Sequence, residues 1–126
     1  MALAGGELNA AIARRVVGIY LKYAGRGPTK ARALFRDNVL VVILEGVMTT
    51  AERSLAAAGR EHALGVFHEG LRAAMEAELI AAVEELTGSG VSALLADAHT
   101  DPDIGVELFI LDRPIEPGGG RGRAAG

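Results

Sequence analysis

The chain has no cysteine and no tryptophan, and only 4% of its 126 residues are aromatic. Without cysteine it can hold neither a disulfide scaffold nor a thiolate metal site, which fits a cytoplasmic protein. So few aromatic side chains also leave no platform on which single-stranded nucleic acid could stack. Positive charge is not in excess, and the formal net charge is −3. Setting aside Arg121 and Arg123 in the last nine residues leaves 11 basic residues (13 less these two) against 16 acidic ones. Phosphate contacts dominate duplex binding, so nucleic acid is not an expected partner. Long apolar runs are missing as well. The longest, Val39–Leu44, is far short of the roughly 20 residues a membrane-spanning helix needs. No basic stretch followed by a long apolar one opens the chain, so neither a secretory signal nor direct membrane insertion is expected.

What remains is the composition of one globular domain, with half the residues hydrophobic. At this size roughly 65% of the unfolded surface can be buried, enough for a core that needs no staples. The domain is expected over residues 1–117. The Gly/Arg tail 118–126 has the composition of a disordered segment.

Hydrophobic periodicity predicts a helix from Glu7 to Tyr23, with Leu8, Ile12, Val16, Ile19 and Tyr23 on one face. Gly25 and Gly27-Pro28 stop it. Two strands follow, Thr29–Phe35 and Val39–Leu44, joined by the turn formers Asp37-Asn38. The first strand alternates, with Ala31, Ala33 and Phe35 opposite Lys30, Arg32 and Arg36. The second is apolar at every position, the pattern of a strand covered on both faces. Thr49 with Glu52 three residues on reads as a capping box for a short helix, Thr50–Ala58. A long helix is predicted from Arg60 to Leu86, with Glu69, Arg72 and Glu76 on its far side at ion-pairing distance. Strands Val91–Asp97 and Ile104–Leu111 complete the set.

The order helix, strand, strand thus occurs twice. The closing strands match, Val42-Ile43-Leu44-Glu45 against Phe109-Ile110-Leu111-Asp112. The expected fold is α+β: a duplicated α-β-β unit giving a four-stranded antiparallel sheet with helices on one face, resembling a permuted ferredoxin-like arrangement. One sheet face packs on the helices. The other is expected to carry Leu40, Val42, Leu44, Leu94, Phe109 and Leu111. An apolar face of that extent is seldom left to water. Either the short helix covers it or, the favoured expectation, a second copy does.

Two segments concentrate chemistry. In Gly25-Arg26-Gly27-Pro28-Thr29-Lys30-Ala31-Arg32, glycines free the backbone to approach an anion, and Arg26, Lys30 and Arg32 supply charge. The candidate anion site is Arg26, Gly27, Thr29, Lys30 and Arg32. Its competing reading is a helix stop followed by a strand with a wet basic face. In Asp97-Ala98-His99-Thr100-Asp101-Pro102-Asp103, the residues Asp97, His99, Asp101 and Asp103 form a second polar candidate. Imidazole with carboxylates suits a divalent metal or acid–base chemistry. The expected reading is nonetheless a turn, since Asp and Pro are turn formers and only one histidine is present. No metal site, cofactor or catalytic residue is expected. His62 and His68 are expected at the surface or in packing.

These segments, with Val39–Gly46, Leu79–Gly88 and Asp97–Leu111, resemble the MpsC family. The likeness runs over about residues 7–112, and Gly25–Lys30 and His99–Asp103 are its most specific parts. The family takes its name from a membrane-potential-generating system. That system's main parts resemble an ion-translocating NADH dehydrogenase subunit and a zinc carbonic anhydrase, and it is associated with inorganic-carbon uptake. The resemblance implies a soluble accessory or regulatory protein of a membrane bicarbonate-uptake or cation-translocating system. It implies a protein that meets membrane transport subunits and sits in the cytoplasm, peripheral at the inner face of the membrane through those partners, while the homodimer is expected from the apolar sheet face. A cytosolic sensor domain for an anion or nucleotide is the alternative. The resemblance supplies no reaction, and an enzyme is not the favoured expectation.

Overall fold

A computed structural model describes residues 5–115 of the chain. The elements run α1 (Gly5–Ala24), β1 (Lys30–Arg36), β2 (Val39–Glu45), α2 (Thr50–Ala57), α3 (Glu61–Thr87), β3 (Val91–His99) and β4 (Ile104–Leu111). The class is α+β, with three helices and one four-stranded antiparallel sheet among the described residues. Strand order is β1-β2-β4-β3, so the second and last strands lie side by side in the centre. The tail expected to be disordered, 118–126, lies outside the described residues.

Local chemistry explains the boundaries. Leu8, Ile12, Val16 and Ile19 of α1 are buried at helical spacing. Asp37 adopts positive φ (55°) in the two-residue turn between β1 and β2, a conformation Asp tolerates better than most residues. The capping box at α2 is formed. The Thr49 side chain accepts from the Glu52 amide at 3.2 Å, and the Glu52 carboxylate accepts from the Thr49 amide at 2.8 Å. Gly88, in the left-handed region at φ 73°, ends α3, and its amide donates to the Glu84 carbonyl at 2.9 Å. A cluster on the surface where α1 meets α3 joins them further. Glu78 accepts from Tyr23 at 2.6 Å and Lys22 at 2.9 Å, and these bonds hold its carboxyl below the usual range.

The core lies between the sheet and the α1–α3 layer. Its largest side chains are Phe109, Ile12, Leu40, Leu44, Met75, Leu79 and Leu111. This corrects the expected face assignment. Leu40, Val42, Leu44, Phe109 and Leu111 are buried under the helices, with Leu94 packed against them. The open face is the opposite set: Leu34, Val39, Val41, Ile43, Leu95, Ile104, Val106, Leu108 and Ile110. Alternation could not decide between them, because both faces of β2 and most of β4 are aliphatic. Nor does the short helix cover the open face, since α2 packs on α3.

Candidate functional site

The glycine-rich segment 25–32 does not converge on one point. The Arg26 guanidinium donates to the carbonyls of Met48 at 3.0 Å and Gly46 at 3.1 Å, so it braces the connection after β2. Gly27 sits tightly over the Val17 side chain. The Thr29 hydroxyl donates to the Glu45 carbonyl at 3.1 Å. Lys30 and Arg32 are exposed on β1 and project from the sheet face opposite the helices. The five candidates are therefore divided between a loop brace and an edge strand.

The Asp97–Asp103 segment divides similarly. Asp97 accepts from the adjacent Ala98 amide at 2.8 Å, and His99 Nδ1 lies 2.9 Å from the Pro102 carbonyl. Asp101 is exposed at the hairpin tip. Asp103 turns inward and clamps the β2–α2 connection. Its carboxylate accepts from the amides of Val47 at 3.1 Å and Met48 at 3.0 Å, and from Arg53 at 3.1 Å. Among the described residues, no three His, Asp or Glu side chains come together to hold a metal ion.

Behind this clamp lies a small cavity of about 50 Å³, walled by α1, the 47–52 segment, α3 and the β3–β4 hairpin. Its walls are mostly aliphatic, from Ala24, Val47, Met48, Leu71 and Met75. Buried Glu52, half-buried Tyr20, His68 and Arg72, and Asp97, His99 and Asp103 of the hairpin contribute the polar groups. Glu52 is only 2% exposed. One of its oxygens serves the capping box and the other meets His68 Nε2. Glu107 lies on the helix-facing side of β4, two residues beyond Gly105 of the cavity wall, and is 1% exposed. Its Oε2 accepts from the Tyr20 hydroxyl at 2.6 Å, whereas its Oε1 is buried with no protein partner.

Burial sets the electrostatics of this pair. Removal from water pushes the Glu107 carboxyl up to about 7, against the opposing pull of the Tyr20 hydrogen bond and the Arg72 charge. Tyr20 is pushed above its ordinary value by burial and then by the neighbouring carboxylate. Near neutral pH, Glu107 is thus poised between acceptor and donor. Arg72 lines the cavity and makes no ion pair among the described residues. The expected far-side pairs with Glu69 and Glu76 are not formed. Sequence reasoning placed Arg72 on the far side of α3 and passed over Tyr20 and Glu107. A signal existed for the last, since Glu107 shares a strand face with Gly105, Phe109 and Leu111, an acid in phase with core residues.

The fold is thus a four-stranded antiparallel sheet under two helices, with a small, mostly aliphatic cavity that carries a few polar groups at the end where the hairpin turns. A family model described as the Na+-translocating membrane potential-generating system (MpsC) matches residues 4–113, and the chain belongs to that family. It is similar to the uncharacterized protein YrhF of Bacillus subtilis (strain 168), with 27% identity over 94 residues covering 73% of this chain and 77% of that protein. No solved structure matches the chain.

Proposed function

We propose that the protein is an accessory or regulatory component of a membrane system that takes up bicarbonate or translocates a cation to generate membrane potential. Family membership across residues 4–113 carries this reading. Among the described residues no helix is long and apolar enough to cross a membrane. In this reading the chain therefore acts through membrane subunits, from the cytoplasmic side. A strain lacking the protein tests it, with membrane potential followed by a voltage-sensitive dye as sodium is added. The sodium-dependent component falls on deletion and returns on re-expression. A potential and a bicarbonate-dependent growth rate unchanged by deletion overturn the reading.

The sensor reading draws on a different observation, the unpaired Arg72 on a cavity that also holds Tyr20. A cavity of about 50 Å³ is a third of the ~150 Å³ that accommodates benzene. Its occupant is a small oxyanion and not a nucleotide. Calorimetry with acetate, bicarbonate and phosphate should detect binding that Arg72→Ala removes and Lys30→Ala leaves intact. Equal binding by the wild type and Arg72→Ala rejects this site.

A further inference from the structure

The register of the sheet arranges the open face in four rows that cross all four strands. They run Arg36, Val39, Ile110, Ala93; then Leu34, Val41, Leu108, Leu95; then Arg32, Ile43, Val106, Asp97; then Lys30, Glu45, Ile104, His99. The second row is aliphatic from edge to edge. The third has a cation at one edge and an anion at the other. Leu34 and Leu95, at the two ends of that row on the edge strands, are 48% and 57% exposed, large values for leucines on one sheet face. None of Lys30, Arg32, Arg36 and Asp97 forms an ion pair among the described residues. The last eleven residues, Glu116–Gly126, contain two alanines and one proline and no Val, Leu, Ile, Met or aromatic side chain, so they are poorly suited to covering this face.

We propose that a second copy of the chain covers this face, about a twofold axis that runs parallel to the strands between β2 and β4. Such an axis lays β1 of one copy on β3 of the other and keeps each row opposite itself. Leu34 then meets the partner's Leu95, Val41 meets the partner's Leu108, and Arg32 meets the partner's Asp97, each contact occurring twice as a twofold interface requires. The other face-to-face arrangement has its axis across the strands. It sets β1 on β1 with the rows reversed and brings Arg36 against the partner's Lys30, with Arg32 beside them, where like charges repel. The charge pattern therefore chooses both the occupant and the axis.

Size sets which side chains take part. Four strands at about 4.8 Å spacing and seven residues at about 3.4 Å give a projected face of roughly 450 Å². A stable pair buries about 800 Å² on each partner. The flat projection already spans both edge strands, so the interface reaches that area only with the relief of the long side chains that rise from β1, Lys30, Arg32 and Arg36. Sheets packed face to face lie about 10 Å apart with strands within about 30° of one another, a separation that two long side chains at the edges can bridge.

Sedimentation equilibrium on the full chain tests the pairing. Arg32→Asp and Asp97→Arg, both at exposed positions, should each weaken dimerisation about tenfold or more. The double variant, with the charges exchanged, should associate within about threefold of wild type, because each copy again presents opposite charges along the row. Leu108→Glu should yield a monomer with an unchanged far-ultraviolet circular dichroism spectrum. A wild-type chain that stays monomeric at 100 µM (about 1.3 mg/ml for a 13.0 kDa chain) overturns the proposal. A double variant no better associated than the single ones overturns the axis and its Arg32–Asp97 pairing.

Discussion

Tyr20 on α1 and Glu107 on β4 are 87 positions apart in the chain and share a 2.6 Å hydrogen bond beneath the helices. Among the described residues it is the only partner of a carboxyl group that is 1% exposed and whose second oxygen has none. Removing the donor leaves both oxygens buried and unpaired. Tyr20→Phe should therefore cost about 1–3 kcal/mol, measured by urea denaturation at pH 7.

The same carboxyl makes stability depend on pH. Its value is raised from 4.5 to about 7 in the folded protein. Between those values the folded chain holds a proton that the unfolded chain has released, so stability falls as pH rises through this window and the loss is complete above it. Integrated over the window, the loss is about 3 kcal/mol between pH 4 and pH 8. Glu107→Gln should flatten this slope and be the more stable form at pH 8. Parallel pH profiles for the two proteins would disprove the assignment.

Asp103 and His99 belong to the same hairpin and should behave differently. Asp103→Ala strips the clamp from two amides and Arg53, at a cost of about 2–3 kcal/mol. His99, exposed and bonded only to its own turn, should cost less than about 1 kcal/mol when replaced by alanine. Thermal melts of the two variants check the contrast.

Gly46 follows β2 at φ 65°, and a Cβ there would collide with the Thr29 hydroxyl and lie 2.8 Å from the Thr29 Cγ2. Both the backbone and the neighbour oppose a side chain. Gly46→Ala should destabilise by more than about 1 kcal/mol, and Thr29→Ala should recover part of that loss by removing both the hydroxyl and the methyl group. Denaturant midpoints of the single and double variants test the steric account.

Helices, strands, the capping box and the Asp37-Asn38 turn were legible in the sequence because each rests on local chemistry. Periodicity of 3.6 marks α1, and Thr49 with Glu52 marks α2. The side of the sheet facing the helices was not legible. Val41 and Val42 are chemically alike, and only the tertiary packing of Ile12, Met75 and Leu79 decides which is covered. The cavity was hidden for a related reason. Tyr20, Glu52, His68 with Arg72, and Glu107 come from four separate elements, and Glu52 reads alone as a helix cap and the others as surface or packing residues. Arg26 and Asp103 were noticed for their charge, but their partners are backbone groups, which side-chain spacing does not reveal.

The strand order carries a consequence for synthesis. The last strand fills the middle of the sheet, so until residues 104–111 leave the ribosome, β2 and β3 have no neighbour on their inner edges. The first helix and hairpin can form early, but they present an unfilled slot of backbone donors and acceptors for most of the chain's emergence. A chain stopped before Ile104 keeps that slot open, with a row of aliphatic side chains on either side. Truncated chains of this protein should therefore be caught by chaperones or aggregate, and the final eight-residue strand acts as the latch that ends that exposure.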